Sequence, residues 1–133
     1  MFLIVQRVSR LLFLLSLLSF SAKAEYISVE ELRGSPMTYE GTKIMATGYL
    51  NALGALYDNK KQSDNFSPNF LMVNLQKDIS DFFIINCYGK YVVIEGEFTY
   101  QKQRDAIIWK VTKLLTKGGV DCVKDQMIWD RTK

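Results

Sequence analysis

The sequence predicts a mainly β protein built as a five-stranded barrel, and two glycine-containing stretches carry this prediction. Residues 41–50 (GTKIMATGYL) and 89–98 (GKYVVIEGEF) each hold two glycines seven positions apart, with alternating apolar residues between them. Glycine inside a strand usually marks a bulge or a sharp bend, which a small closed barrel needs at its corners. Two long bent strands, combined with shorter strands between and after them, therefore indicate a barrel.

The first 24 residues have the features of an export leader. Two arginines precede the apolar run at 11–20, and Ala24 ends a small-x-small cleavage pattern. The run is shorter than the roughly 20 apolar residues of a membrane span. We expect cleavage after Ala24, a single mature domain of residues 25–133, a periplasmic or secreted location and no stable membrane insertion. Retention of the leader as an anchor is the alternative, because residues 1–5 are also apolar.

The net positive charge of the chain comes from this leader. The 133 residues carry 17 basic and 14 acidic side chains, and three of the basic ones lie in the leader, so the mature chain has no formal net charge. A non-specific polyanion binder is therefore disfavoured. The chain contains no histidine, which removes Ser-His-Asp triads, Cys-His dyads and histidine metal sites.

Two cysteines, Cys87 and Cys122, fall in the mature part. In an oxidising compartment an even count predicts one disulfide, and this one would close a loop of about 35 residues. Free thiols or an intermolecular bond are the alternatives. We expect the bridge to hold the C-terminal tail, with its apolar residues 127–129, near the start of strand four.

The mature chain begins with signals for a short helix. Ser28 is a good N-cap, and Glu31 three positions later completes a capping box. Gly34 and Pro36 end the helix after about two turns. The helix is expected to plug one end of the barrel.

Five strands follow in order. Residues 41–50 form the first, 55–57 the second, 70–75 the third, 90–100 the fourth and 107–111 the fifth, which continues to residue 115. Alternation predicts which side chains point inward. The inward set is Ile44, Ala46, Gly48, Leu50, Leu71, Val73, Leu75, Val92, Ile94, Gly96 and Phe98. Residues 82–86 fit either a further short strand or a buried approach to the first cysteine.

The glycine-bounded strands resemble an OB-fold, the five-stranded Greek-key barrel, and more closely small exported bacterial OB-fold proteins of undefined role. The residues that carry the resemblance are Pro36, Tyr39, Gly41, Ile44, Gly48, 89–92, Gly96 and Phe98. The resemblance implies a binding face on strands two and three with their flanking loops, and names no ligand. OB-folds usually place a helix between strands three and four, where only residues 77–81 are available.

Seven side chains are candidates for ligand contact. They are Tyr49, Tyr57, Phe70, Met72 and Asn74 on the strands, and Lys102 and Arg104 in the loop between strands four and five. The strand residues are expected to point outward as an aromatic platform, since aromatic faces stack on bases and sugar rings. The alternatives are cover by the tail or by a neighbouring subunit, and a solvated charged loop.

These features predict a non-catalytic binding or adaptor module for a small ligand, glycan or protein. The alternative is a structural subunit of a cell-envelope assembly. Nucleic acid is an unlikely partner, because no basic stripe is present. No cofactor or metal is expected, and no motif for phosphate binding, calcium binding or a nucleophile elbow appears. Glu95 and Glu97 are expected to meet lysines across the strands.

Overall fold

The structure is a computed structural model that describes residues 26–75, 80–101 and 104–125, with the side chains of residues 104 and 105 left aside. Its strands are β1 (Ile27–Ser28), β2 (Lys43–Leu50), β3 (Ala55–Tyr57), β4 (Leu71–Val73), β5 (Lys90–Gln101) and β6 (Arg104–Thr116). Its helices are α1 (Val29–Gly34), α2 (Pro36–Tyr39), α3 (Lys60–Asp64) and α4 (Asp81–Asn86). The predicted leader lies outside the described residues. Within them, no helix has the length and apolar character needed to cross a membrane.

Five strands close into a barrel, as the sequence predicted. The order is β2, β3, β4, β6 and β5, and β5 pairs again with β2 along eight residues. Strands β4 and β6 run parallel, whereas the other four barrel pairings are antiparallel. This small closed barrel is compatible with an OB-like fold.

The interior is filled by the alternate residues of the long strands. Burial alternates along β2 and β5, because successive side chains of a strand point to opposite faces. The barrel part of the core consists of Ile44, Ala46, Leu50, Leu56, Leu71, Val92, Ile94, Phe98, Ala106, Ile108 and Leu114.

Gly48 and Gly96 mark close approaches between strands. A Cβ on Gly48 would overlap the carbonyl oxygen of Tyr57. A Cβ on Gly96 would lie 2.8 Å from the carbonyl oxygen of Trp109, where β6 bulges against β5 and Lys110 takes a left-handed φ of 48°. The interpretation of both glycines as barrel corners is consistent with this geometry.

Strands β3 and β4 have only three residues each, and the two ends of the described chain extend the sheet beside them. β1 pairs with Ala46 and Thr47 of β2, beyond the point where β3 ends. Near the C-terminus, the amide of Cys122 donates to the carbonyl of Leu114, in the part of β6 that extends beyond its pairing with β4. Both segments therefore pair with strand edges that longer β3 and β4 strands would have filled.

Helix α1 packs into the core, as predicted. Its Val29 and Leu32 are fully buried. Ser28 Oγ caps the helix by accepting a hydrogen bond from the amide of Glu31 at 3.1 Å. The Glu31 carboxylate accepts a hydrogen bond from Tyr39 Oη at 2.7 Å.

Helix α4 occupies the place between the third and fourth barrel strands. The expectation that only residues 77–81 were available for this helix was wrong. The helix is formed mainly by residues 82–86, which the sequence analysis assigned either to a short strand or to a buried approach to Cys87. Ser80 Oγ caps it by accepting from the amide of Phe83, and Phe83 is 1% exposed.

The predicted disulfide is present. Cys87 ends α4 and bonds to Cys122, both are fully buried, and their Cα atoms lie 6.2 Å apart. The bond therefore joins the C-terminal segment to the chain just before β5. The apolar residues 127–129 lie outside the described residues.

Candidate functional site

Four aromatic side chains form a row across the outside of the barrel, which we call the aromatic row: Tyr91, Tyr49, Tyr57 and Phe70. Tyr49 pairs with Tyr91 on β5 and with Tyr57 on β3. The Tyr49 and Tyr91 rings meet edge-to-face with centroids 5.3 Å apart, and the Tyr57 and Phe70 rings are 5.5 Å apart. Such distances are typical of favourable aromatic pairs. Three of the predicted site residues therefore lie in one row.

The middle of the aromatic row is covered. Tyr57 is only 5% exposed, although its neighbour Leu56 fills the barrel interior and Tyr57 points outward. Tyr49 and Phe70 are half-buried, and Tyr91 is 44% exposed. In this conformation Tyr57 is thus a buried member of the row, not the open stacking surface that the sequence predicted.

Helix α3, which the sequence left as loop, lies beside this row and against β3. The amide of Lys60 donates to Tyr91 Oη at 3.1 Å. Asn51 Nδ2 donates to Ser63 Oγ at 3.3 Å, and Ser63 is 8% exposed. Asn59 caps the helix by accepting from the amide of Gln62 at 2.9 Å.

The sequence of α3, KKQSD, contains no apolar residue. Its buried contact with the barrel is therefore polar. Gln62 Oε1 is enclosed and has no hydrogen-bond partner in the part of the chain that the structure describes. A hydrogen bond to Asp64 raises the pKa of Lys60, and the nearby Tyr49 and Tyr91 act in the same direction.

A second surface lies on the outside of β4 and β6, and we call it the β4–β6 patch: Met72, Asn74, Ile107 and Trp109. Met72 is paired with Ile107, and Val73 with Ile108, which places Asn74 beside Trp109. Met72, Ile107 and Trp109 are partly exposed, and Asn74 is exposed. The patch contains two predicted site residues and two that sequence reasoning missed.

Trp109 is the most distinctive member of the patch. Its Nε1 is enclosed without a hydrogen-bond acceptor among the described residues. The ammonium of Lys110 lies 4.3 Å from the ring centroid and 3.4 Å from the Glu97 carboxylate. This cation–π contact places the ammonium against one face of the Trp109 ring. The sequence did contain a signal that Trp109 faces outward, because Trp109 alternates with the inward residues Ala106 and Ile108.

The outer surface of β2 and β5 is charged instead. Lys43 Nζ lies 3.0 Å from Glu95 Oε1, and Thr112 Oγ1 donates to the same oxygen at 2.9 Å. These two hydrogen bonds hold the pKa of Glu95 below its usual range. As predicted, Glu95 and Glu97 meet lysines.

The two loop candidates are not part of the described surfaces. Lys102 lies outside the described residues, and Arg104 is described only as the first backbone position of β6. Across residues 26–75, 80–101 and 104–125, no group of three or more acidic or cysteine side chains comes together to hold a metal ion. What the described surface offers is stacking and apolar contact.

Comparison with known proteins adds no family or activity: no protein-family model matches the chain, and no curated protein matches it.

Proposed function

We propose that this protein is an exported, non-catalytic binding or adaptor module of the OB-fold superfamily, and that its ligand contacts the β4–β6 patch together with Phe70. The leader-like residues 1–24 and the buried disulfide support an oxidising compartment outside the cytoplasm. The strand order and the helix between β4 and β5 support the fold family. A catalytic role has no support in the chain, which lacks histidine.

One observation carries the proposal. Outward positions of a small barrel face water and are ordinarily polar, as Lys43, Glu95 and Glu97 are on β2 and β5. On β4 and β6, and just before β4, they are instead Phe70, Met72, Ile107 and Trp109, and all four are partly exposed. A contiguous apolar patch on a barrel surface is typical of an interaction site.

The chemistry of the patch favours a ring-bearing ligand such as a glycan. Aromatic side chains stack on sugar rings, and Phe70 and Trp109 present two partly exposed rings for such contact. Nucleic acid is disfavoured, because its affinity depends on neutralising phosphates and the mature chain carries no excess positive charge. Binding should therefore depend little on salt.

The intrinsic fluorescence of Trp109 can test this proposal. The chain has two tryptophans, so Trp129→Phe leaves Trp109 as the single emitter. The mature Trp129→Phe protein would be titrated with soluble glycans and, across a salt series, with a labelled single-stranded oligonucleotide. We expect a saturable change in Trp109 emission with a glycan, insensitive to salt, and no sub-micromolar oligonucleotide binding.

Two variants make the titration specific. Phe70→Ala with Met72→Ala should weaken binding at least about tenfold, the loss expected when contact residues of a site are truncated. Met37→Ala is the matched control, because Met37 is a 73% exposed apolar residue on α2 and does not belong to the patch. A saturable response lost equally in both variants, or a steep salt slope with the oligonucleotide, would contradict the proposal.

A second candidate function is a structural subunit of an envelope assembly. Ile84 and Ile85 favour it, because they are 51% and 72% exposed on α4, close to the disulfide. Under this function, Ile84→Ser with Ile85→Ser would abolish co-purification with the assembly, whereas the Phe70 and Met72 variant would not.

A further inference from the structure

We propose that α3 is a displaceable cover, and that Tyr49 and Tyr91 beside it form a second stacking surface, which takes one sugar ring of the proposed glycan when α3 moves away. The inference rests on the proposed function for its ligand, but the opening of α3 is measurable without one.

The position of α3 gives the first reason. Its first amide, on Lys60, is bonded to Tyr91 Oη, and Ser63 is bonded to Asn51 at the end of β2. These two hydrogen bonds place α3 beside the edge-to-face pair of Tyr49 and Tyr91, where Tyr49 is half-buried. Access to Tyr49 from solvent therefore depends on where α3 lies.

The composition of α3 gives the second reason. A helix is held on a protein surface mainly by the burial of apolar side chains, and α3 has none. It encloses instead the Gln62 carbonyl oxygen, which lacks a hydrogen-bond partner among the described residues. Displacement of α3 releases this oxygen to water and breaks the hydrogen bonds to Tyr91 and Asn51, and no apolar side chain of the helix itself opposes it, so α3 belongs to the least stable part of the fold.

The chain after α3 gives the third reason. Phe66 follows the helix with a left-handed φ of 52°, which is uncommon for a bulky residue, and its side chain is 82% exposed. Backbone strain at this position lowers the cost of leaving the closed conformation. The segment thus combines weak attachment with local strain.

A closed cover lowers apparent affinity by the fraction of molecules that are open. An open state populated at about 1–10% weakens binding about 10- to 100-fold. Removal of the cover should therefore raise affinity at this surface by a factor in that range.

Hydroxyl-radical labelling of Tyr49, read by mass spectrometry on the mature protein, tests the cover. Tyr91→Phe removes the acceptor of the Lys60 amide and should raise the labelling of Tyr49. Gln62→Leu removes the enclosed unpaired oxygen and should lower it. Replacement of Lys60–Asp64 by a glycine–serine linker of equal length should raise it most, and Tyr26→Phe, at an exposed tyrosine elsewhere, should leave it unchanged.

The aromatic dye ANS serves as the ring probe in the same variants. Its affinity should rise about 10- to 100-fold in the linker variant, and Tyr49→Ala in that variant should abolish the gain. If the linker variant does not fold, Tyr91→Phe and Gln62→Leu still give opposite predictions. Labelling of Tyr49 that is the same in wild type, Tyr91→Phe and Gln62→Leu, or a dye affinity that does not rise when Tyr49 becomes accessible, overturns the inference.

Labelling of Tyr49 does not involve the β4–β6 patch, and Tyr49→Ala separates dye bound at Tyr49 from dye bound at the patch. Glycan binding to the patch can therefore fail while the cover is confirmed, and the cover can fail while glycan binding is confirmed.

Discussion

Helices α1 and α3 are similar in length and in the way they begin, yet they differ in what they bury. Two adjacent residues just after β3 accept hydrogen bonds from the first amides of the two helices. The Asp58 carboxylate accepts from the amides of Val29 and Glu30 at the start of α1, and the Asn59 side chain caps α3. However, α1 places Val29 and Leu32 in the core, whereas the only buried residue of α3 is Ser63.

This difference separates two effects that are often treated as one. A cap satisfies free amides and determines where a helix begins, at about 0.5–2 kcal/mol. Burial of apolar side chains determines how firmly the helix is held, at about 1.5–3 kcal/mol for each large side chain. With its two core residues α1 is part of the barrel, while α3 is capped but loosely attached.

The largest expected effect is on α1. Leu32→Ala should lower the free energy of unfolding by about 2–5 kcal/mol, because a fully buried leucine leaves a cavity. Chemical denaturation of the mature protein measures this loss. Met37→Ala, at an exposed apolar residue of α2, is the control and should change stability by less than about 0.5 kcal/mol. Equal losses in the two variants would mean that α1 is not part of the core.

An intermediate effect is expected at Asp58 and Asn59, whose side chains accept hydrogen bonds from the first amides of α1 and α3. Asp58→Ala should cost about 1–2 kcal/mol, since it frees two amides of a helix that unfolds with the barrel. Asn59→Ala should cost less, because the loss cannot exceed the small free energy that keeps α3 closed. Denaturation of both variants side by side measures the difference. A larger loss for Asn59→Ala would reverse the comparison.

The fold could be predicted where one residue type has one structural use. Gly48 and Gly96 indicated the corners, Ser28 the start of α1, and two cysteines after a predicted export leader indicated the bridge. The helix α4 was not assigned because its apolar run, Phe82 to Ile85, is equally compatible with a buried strand.

The candidate site was harder to predict, because exposure depends on neighbours that are distant in sequence. Tyr57 points outward, as alternation requires, but other parts of the chain bury it. Trp109 was overlooked because its alternation with Ala106 and Ile108 shows only that it faces outward, not that it borders Met72 and Asn74. Helix α3 has only a cap and polar residues, which are also typical of a loop.

The smallest expected effect is the pH dependence of stability, and it arises from contacts among β2, β5 and β6, not from either helix. Hydrogen bonds from Lys43 and Thr112 lower the pKa of Glu95 from its usual value near 4.5. The resulting stabilisation is present above that value and is lost as the pH falls through the lower pKa of the folded state. For such an exposed pair we expect less than about 1 kcal/mol. Denaturation between pH 6 and about 3 should show this loss in wild type and a smaller one in Glu95→Gln; identical profiles would contradict the assignment.

Native-state hydrogen exchange across a denaturant series tests the central claim most directly, that α1 is part of the barrel and α3 is a cover. The amides of Val29, bonded to Asp58, and of Ser63 and Asn65, bonded within and after α3, report on the two helices. We predict that Val29 exchanges with the free energy of global unfolding, together with β2 and β5. Ser63 and Asn65 should exchange by a local opening whose free energy is far smaller and insensitive to denaturant. Exchange of Ser63 and Asn65 at the global free energy would contradict the claim.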